Sequence, residues 1–355
     1  MALNPDHYAI VIGIDGYSQL RPLTAAGEDA AKFALWLTSE EGGGLPSKNV
    51  RGIYSPPPGS TNNPFEARPI QTQIDEALTR FGIETKDRIG KRLYFYFSGH
   101  GFGSNFLDVG MLMANASLTR LGYNIGLLPY RSFFREMEVF DEIVFILDCC
   151  RDPHGGIETA KPGFSLPKRG NGTKIQDVVI LGAMYGEEAY QPLKNDFTDE
   201  RRGLLTQAVL EGLTKPEAAD GLGRFTSSSL SYYVTQRVPE LAAGANVDQT
   251  PNIDKTQLRR EIVFYTIPNS KLEWVRVQII VPPGLGGDLL LLDSFGNEID
   301  RQPAVAAAAA GGWTVMLLRN RWYEVKLSPV GPHAKPNIIE LTELNGDPHI
   351  YKFKT

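Results

Sequence analysis

The sequence predicts an α/β fold with a mostly parallel sheet and helices on both faces, followed by a small C-terminal all-β, sandwich-like domain. Two observations lead to this class. Over roughly the first 270 residues, continuous apolar strands alternate with amphipathic helices, as they do in βαβ units. From Lys271 onward, short alternating runs are separated by Gly, Pro and Asn turns, a pattern typical of a β-sandwich.

The predicted strands of the α/β part are continuous apolar runs. A strand that is covered on both faces shows no alternation of polar and apolar residues. Four segments fit this description: residues 8–14, 92–97, 142–147 and 178–182. In a parallel sheet the carboxyl ends of the strands form the edge where ligands bind.

The predicted helices carry apolar residues at helical spacing on one face. In the first, Ala30, Phe33, Ala34 and Leu37 recur at this spacing, and a run of glycines after residue 41 ends the pattern. The predicted helices cover residues 28–38, 70–81, 130–140, 203–213 and 227–238. Residues 242–251 form a stretch of small residues, which favours turns.

The change of pattern near Lys271 also predicts the domain limits. We expect residues 1–268 to form the α/β domain and residues 269–355 to form the β-domain, because a single hydrophobic core tends to stop growing at about 250 to 300 residues. The sequence shows no internal repeat.

The composition excludes several classes of protein. The 355 residues are 42% hydrophobic, 22% charged and 10% aromatic, which is ordinary for a globular chain and excludes wholesale disorder or a collagen-like chain. With 36 Lys and Arg against 41 Asp and Glu, the net charge is −5, and basic residues form no cluster of the kind that binds phosphate backbones. We therefore expect no nucleic-acid partner.

The cysteines and the apolar runs bear on location. Cys149 and Cys150 are adjacent, so they cannot form a disulfide framework, which indicates a reducing compartment. The apolar run at 8–14 is too short to span a bilayer and has no basic segment before it. We expect a cytoplasmic protein with no membrane segment.

Two predicted strand ends carry residues suited to catalysis. The second strand ends in Ser98-Gly-His-Gly101 and the third in Asp148-Cys-Cys-Arg151. If these strands are neighbours, His100 and Cys150 face one cleft, where an imidazole can take the thiol proton and stabilise the thiolate. Alone, a cysteine after an apolar strand is usually a small core residue and a histidine is usually a surface or capping residue. Together, 50 residues apart, they match the known spacing of the catalytic His and Cys of caspases.

The chain resembles the caspase-like cysteine proteases, nearest to the prokaryotic metacaspase-type members. The matching pieces, which cover about residues 5–265, are Tyr8 to Tyr17 with Asp29-Ala30, Ser98 to Gly101, Phe145 to Cys150, Val178 to Ala183 with Glu188 to Tyr190, Gly203 to Ala208, and Gln249 to Pro251. One departure is the sequence Arg151-Asp-Pro-His154, where metacaspases commonly have His-Ser-Gly after the cysteine. This departure weakens assignment to a subfamily and leaves the Cys and His in place.

The resemblance implies roles for these residues. It makes Cys150 the nucleophile and His100 the general base and later acid, with Cys149 as the alternative nucleophile. Strand alternation sends the two cysteines to opposite sides, so only one can face His100. The backbone N–H groups of Gly101 and Cys150 would hold the oxyanion. The resemblance also divides the α/β domain into a large-subunit-like part (1–150), an activation loop (151–177) and a small-subunit-like part (178–268).

The resemblance further implies a pocket for a basic side chain. Asp148 and Asp29 would line it together with Ser98. Two carboxylates in a partly desolvated pocket repel each other unless a cation lies between them. Arg can satisfy both with its fork of donors, so we expect cleavage after Arg more than after Lys. Asp29 could instead serve only to complement the dipole of its helix.

The long loop at 151–177 suggests regulation. It is rich in Gly, Pro and Lys, and long loops in compact domains are usually functional or mobile. Lys168 and Arg169 match the expected basic specificity, so we expect cleavage near them, by the protein itself or by an upstream protease, to order the site. A plain solvated loop is the other interpretation.

No organic cofactor and no metal are expected. The family allows calcium, but the sequence has no oxygen-ligand loop of recognisable spacing. Expected partners are protein substrates and an upstream activating protease or complex, and the resemblance implies a role in prokaryotic defence or regulated cell death. Two alternatives stay open: a catalytically silent scaffold on the same fold whose β-domain binds a partner, and a different thiol hydrolase.

Overall fold

The computed structural model describes residues 3–190, 202–328 and 337–354, which form helices, strands and their connections. The α-helices of this described part are α1 (Ala26–Thr38), α2 (Gln71–Phe81), α3 (Leu127–Met137), α4 (Leu204–Gly212), α5 (Ser227–Gly244) and α6 (Ala304–Ala309). Its strands are β1 (His7–Gly13), β2 (Val50–Tyr54), β3 (Arg92–Ser98), β4 (Gly101–Gly103), β5 (Val109–Leu112), β6 (Asn124–Gly126), β7 (Glu142–Asp148), β8 (Gln176–Leu181), β9 (Arg224–Thr226), β10 (Asn252–Asp254), β11 (Val263–Thr266), β12 (Trp274–Ile280), β13 (Asp288–Leu292), β14 (Glu298–Pro303), β15 (Trp313–Leu318), β16 (Trp322–Ser328), β17 (Asn337–Glu340) and β18 (His349–Lys352).

The chain divides into two compact units. The first comprises residues 1–211 and 233–262, and the second comprises residues 212–232 and 263–355. The second unit therefore takes a segment around β9 in addition to the C-terminal strands. The domain limits inferred from the sequence stay predictions.

The first unit is built on a six-stranded sheet with the order β10-β8-β7-β3-β1-β2. All neighbouring pairs are parallel except β10 with β8. The central strands β3 and β7 are buried along their whole length, which is why their sequences are apolar on both faces. The predicted mostly parallel sheet is confirmed.

Alternation along β3 sends its side chains to helices on opposite faces of the sheet. On one face Tyr96 stacks on Phe33 of α1, with ring centroids 4.7 Å apart. On the other face Phe95 meets Tyr130 and Phe134 of α3 at 5.8 and 6.2 Å. The apolar residues of α2 belong to the same cluster as those of α3. Helices on both faces are thus confirmed.

Some elements of the first unit do not follow from the sequence pattern. The edge strand β2 was not predicted, because Arg51 and Gly52 interrupt its apolar residues. The short antiparallel sheet β4-β5-β6 and the three-residue strand β10 were not predicted either, since three or four residues carry no readable period. Helix α5 continues to Gly244, beyond the expected end at residue 238 and into the stretch that was assigned to turns.

The second unit is a set of mostly antiparallel sheets around its own apolar core, in which β12 and β18 form a parallel pair. The sheet β14-β13-β16-β17 and the sheet β15-β12-β18 supply most of that core, which includes Val277, Leu291, Leu317 and Tyr323. A smaller pair joins β9 to β11. The predicted all-β character is confirmed, except that residues 304–309 form the short helix α6. None of the described helices combines the length and the hydrophobicity that a membrane span requires.

Candidate active site

His100 and Cys150 lie just beyond the carboxyl ends of two adjacent strands. Strands β3 and β7 pair in parallel with Ser98 opposite Asp148, so each functional residue follows this matched pair by two positions. Both side chains are only partly buried. The condition set in the sequence analysis, that the two strands are neighbours, is met, and the two residues share one edge of the sheet.

The imidazole of His100 is held by contacts from the segment that follows β1. Its Nε2 is 2.8 Å from the carbonyl oxygen of Arg21, and the ring packs against Tyr17 with centroids 4.8 Å apart. The Tyr17 hydroxyl also accepts the backbone N–H of His100 at 2.7 Å. Because a carbonyl can only accept, Nε2 carries the proton and Nδ1 carries the lone pair. Burial lowers the pKa of His100, which favours this neutral form.

The thiol of Cys150 contacts the backbone of Ala189. The N–H of Ala189 donates to Sγ at 3.3 Å, and Sγ lies 3.6 Å from the Ala189 carbonyl oxygen. Burial raises the pKa of this thiol to about 11, and the nearby carboxylates of Asp152 and Glu188 contribute to that rise. At that pKa only about one thiol in ten thousand is ionised at pH 7. The structure thus has a protonated thiol at Cys150 and a neutral imidazole at His100, each held by its own backbone contacts.

The segment that contacts the thiol is fixed by Arg151. The Arg151 backbone exchanges two hydrogen bonds with it, one to the Glu187 carbonyl and one from the Gly186 N–H, both 3.0 Å long. Its buried guanidinium donates to the carbonyl oxygens of Phe106 and Ala183. Arg151, which stands where metacaspases commonly have a histidine, therefore ties the residues after Cys150 to the loop at 183–189.

Gly101 lies against the two cysteines. A Cβ placed on it would be 2.7 Å from the Sγ of Cys149 and 2.9 Å from the carbonyl oxygen of Cys150, so no larger residue fits. Cys149 is almost fully buried, and burial raises its pKa well above the usual value. Of the two thiols, only that of Cys150 is partly exposed.

Asp29 and Asp148 form a buried pair of carboxylates at the same edge of the sheet. Asp29 is 0% exposed and Asp148 is 4% exposed. The N–H of Gly203 donates to Oδ2 of Asp29 at 2.7 Å, while the N–H and the hydroxyl of Thr206 donate to Oδ2 of Asp148 at 3.0 and 2.7 Å. A Cβ on Gly203 would collide with the Asp148 carboxylate and approach that of Asp29. The first turn of α4 therefore holds both acids.

The electrostatics of this pair favour protonation. Burial, and then repulsion by Asp148, raise the pKa of Asp29 to about 8. Burial raises the pKa of Asp148 to about 6, and the two hydrogen bonds from Thr206 oppose that rise. Lys32 and Arg202 are near enough to Asp29 to lower its pKa in part. The pair is thus a site whose ionised form needs a cation.

One buried carboxylate oxygen in this region lacks a partner. Oδ1 of Asp29 is fully enclosed and has no hydrogen bond within the described part of the chain, while the enclosed hydroxyl of Ser98 interacts with the Tyr96 side chain. Buried polar atoms without partners are uncommon and mark places where a ligand or water belongs. The unbonded Asp29 oxygen is an acceptor that a donor-rich cationic group could satisfy.

Lys168 and Arg169 lie on the surface of the first unit. The ammonium of Lys168 pairs with Glu136 at 2.7 Å and is 69% exposed. The guanidinium of Arg169 donates to the carbonyl oxygens of Lys86 and Ile83. The loop around them runs along α3, since the backbone N–H groups of Arg169 and Gly170 donate to Glu136. Both residues are therefore exposed, and both are tied to the surface by polar contacts.

Among residues 3–190, 202–328 and 337–354, no three side chains of His, Cys, Asp or Glu are grouped as a metal site would require. Calcium binding therefore has no candidate ligand set in the part of the chain that is described.

Comparison with known proteins identifies the family. The model of the caspase domain family matches residues 6–263, well over half of the chain. The chain belongs to the caspase domain family. His100 and Cys150 both lie within the matched residues.

Individual relatives are more distant. A probable protease of a Desulfuromonadales bacterium is 29% identical over 217 residues, which is 58% of this chain and 26% of that protein. The chain thus spans about a quarter of the length of this relative. Among solved structures, caspase-1 from Spodoptera frugiperda and its precursor form each have 15% identity and a TM-score of 0.44. Both comparisons cover 74% of this chain, with 93% and 96% of the respective structures.

Sequence reasoning did not find several residues that shape the site. Tyr17 and the carbonyl of Arg21 orient His100, the backbone of Ala189 engages Cys150, and Thr206 holds Asp148. Tyr17 and Thr206 lie in segments that resemble the family. Their place in those segments was the only feature of the sequence that could have indicated a role. The backbone groups of Arg21 and Ala189 carry no signal, because any residue type supplies an N–H and a carbonyl.

Proposed function

We propose that this chain is a cysteine endopeptidase that cleaves proteins after basic residues, with Arg preferred over Lys. The observation that carries this proposal is the buried pair Asp29 and Asp148, held by α4 at the same sheet edge as His100 and Cys150. An arginine side chain would add positive charge beyond that of Lys32 and Arg202 and would offer donors to the unbonded Oδ1 of Asp29. A substrate aspartate would be repelled by the same two carboxylates.

The proposed mechanism uses the Cys150 and His100 side chains. Nδ1 of His100 takes the proton from Sγ, and the thiolate attacks the scissile carbonyl carbon. The backbone N–H groups of Gly101 and Cys150 stabilise the oxyanion that forms. The imidazolium then protonates the leaving amine, and water, deprotonated by His100, hydrolyses the thioester.

A conformational step belongs to this proposal. The thiol with its pKa of about 11 and its contacts to Ala189 fits a resting, zymogen-like form. We assign the release of the 186–189 segment to proteolysis near Lys168 or Arg169 or to a binding partner. Replacing both residues with Gln should abolish activation if cleavage there is required. Unchanged activation of that double variant would exclude Lys168 and Arg169 as the processing site.

The wider role is also a proposal. A cytoplasmic protease with a regulated site, acting on protein substrates in prokaryotic defence or cell death, agrees with the family. The chemistry described needs no organic cofactor, and calcium dependence is open to direct test with a chelator.

Fluorogenic peptides ending in Arg, Lys, Asp or citrulline test the function directly. We expect turnover of the Arg peptide above that of Lys, and no turnover of Asp or of citrulline, which has the shape of Arg without its charge. The variant Cys150→Ala serves as the control and should be inactive. If no basic peptide is cleaved after limited proteolysis or with calcium, the alternative of a catalytically silent scaffold, which the protonated thiol also fits, replaces this proposal.

A further inference from the structure

A second cavity of the first unit lies away from the cysteine and histidine, between the edge strand β2 and the helix α2. Its volume is about 370 Å³, within the range of cavities that take small organic molecules. It is lined by Arg51, Tyr54, Arg68, Gln73, Glu76 and Arg80, together with apolar atoms of Ile53, Pro69 and Ala77. Three arginines and one glutamate therefore line the same cavity.

The arginines of this cavity are not neutralised by the protein. In the described part of the chain, neither Arg51, Arg68 nor Arg80 forms an ion pair, although the salt bridges of other arginines, such as Arg88 with Asp141, are well defined. Arg68 donates only to the backbone carbonyls of Phe65 and Ala67. Three positive charges around one cavity repel each other, so an anion that enters gains from all three.

One donor of the cavity is buried without an acceptor. Nε of Arg51 is enclosed and has no hydrogen-bond partner among the described residues. Leaving a buried donor unsatisfied is costly, and such groups commonly mark the place of a missing ligand or ion. Arg51 thus has one donor, Nε, without an acceptor, and it lines a cavity whose charge balance is positive.

We propose that this cavity binds the phosphate group of a small molecule. A phosphate monoester carries about −1.5 to −2 charges and three acceptor oxygens, which match the paired donors of guanidinium groups. The cavity is larger than a free anion needs, and Tyr54 with Pro69 offers apolar surface to an organic part. The site is separate from the residues assigned to peptide cleavage and does not depend on the proposed protease function.

Isothermal titration with inorganic phosphate, AMP and adenosine at low ionic strength tests the site on the full chain. We expect AMP to bind and adenosine not to bind. Tighter binding of AMP than of inorganic phosphate would assign a phosphate ester as the ligand, and equal binding would assign the free anion. Binding of adenosine as tightly as AMP, or no binding of either phosphate at millimolar concentration, would overturn the proposal.

Variants locate the binding. Arg51→Ala and Arg80→Ala should each weaken AMP binding by about tenfold, the effect of one charge-assisted hydrogen bond. Arg319→Ala removes an equal charge from an exposed pair with Glu273 and should leave binding unchanged. Arg80 is exposed at the end of α2, so its replacement should not disturb folding, which thermal unfolding can verify. Equal affinity of the wild type and both cavity variants would place the ligand elsewhere and contradict the proposal.

Discussion

The two parts of the candidate active site, the carboxylate pair and the Cys150 thiol, differ in how far they are prepared for the proposed reaction. The carboxylate pair Asp29 and Asp148 is already assembled, with hydrogen bonds from Gly203 and Thr206 in place. The Cys150 thiol, the proposed nucleophile, is not ready to react, because the backbone of Ala189 contacts it and burial raises its pKa. In the function proposed above, the assembled carboxylate pair would set selectivity, and release of the 186–189 segment would set reactivity.

The largest expected effect separates the two cysteines. Cys150→Ala should lower kcat/KM for Arg peptides by roughly four orders of magnitude or more, the typical cost of losing a catalytic nucleophile. Cys149→Ala should change it by less than about threefold, since that thiol is buried against Gly101 and serves packing. Steady-state kinetics of the activated enzyme provide the comparison. A large loss in Cys149→Ala with activity retained in Cys150→Ala would reverse the assignment.

The next prediction concerns Asp29, whose replacement should lower activity and raise the stability of the fold. Asp29→Asn should reduce kcat/KM for Arg peptides roughly 100-fold, because the bound guanidinium loses a buried charged partner. The same variant should be more stable than the wild type by about 1 to 2 kcal/mol at pH 8. The Asn side chain keeps an acceptor for the Gly203 N–H and removes a buried carboxylate.

The pH dependence of that stability gain has a defined sign. The folded-state pKa of Asp29 is about 8, above the value of 3.8 for a free carboxyl, so the folded form retains a proton that the unfolded form releases. The contribution of Asp29 to the free energy of unfolding therefore falls as the pH rises from 3.8 to about 8. In the Asp29→Asn variant the free energy of unfolding does not have this pH dependence. Denaturant unfolding of both proteins at pH 5 and pH 8 would measure the stability difference between them. If the variant exceeded the wild type by more at pH 5 than at pH 8, the raised pKa of Asp29 would be contradicted.

A smaller effect concerns binding of the basic side chain at different pH values. The affinity of Cys150→Ala for an uncleaved Arg peptide should rise by about tenfold or more between pH 5.5 and pH 8.5, because the cation binds the ionised pair. The values of about 6 for Asp148 and about 8 for Asp29 set this window. A citrulline peptide should show no such rise. Equal pH dependence for both peptides would exclude the carboxylate pair as the recognition element.

The smallest effect tests the support of Asp148. Thr206→Val removes the hydroxyl that bonds Asp148 and Tyr96 and keeps the backbone N–H, so KM for Arg peptides should rise about fivefold with little change in kcat. The midpoint of the pH profile should also move to higher pH, which mere loss of packing would not cause. Thr206→Ser keeps the hydroxyl and should behave as the wild type. A Ser variant as impaired as the Val variant would indicate a packing role.

The sequence predicted those parts of the molecule that depend on residue type over a continuous stretch. Strands β1, β3, β7 and β8 are apolar runs, and the placement of His100 beside Cys150 followed from two such runs being neighbours. The edge strand β2 has a polar and exposed pattern that resembles a loop. The state of the nucleophile could not be predicted, because it depends on one backbone contact between residues 39 positions apart in the chain.

The reactivity of Cys150 in the intact chain tests the central contrast most directly. Its alkylation by iodoacetamide, followed by mass spectrometry across pH 6 to pH 11, reports the thiolate fraction. We expect the rate of Cys150 alkylation to keep rising about tenfold per pH unit to pH 10, with an apparent pKa of the thiol near 11. A rate that levels off below pH 8 would show a thiolate already formed beside His100, and would contradict a nucleophile that is held inactive.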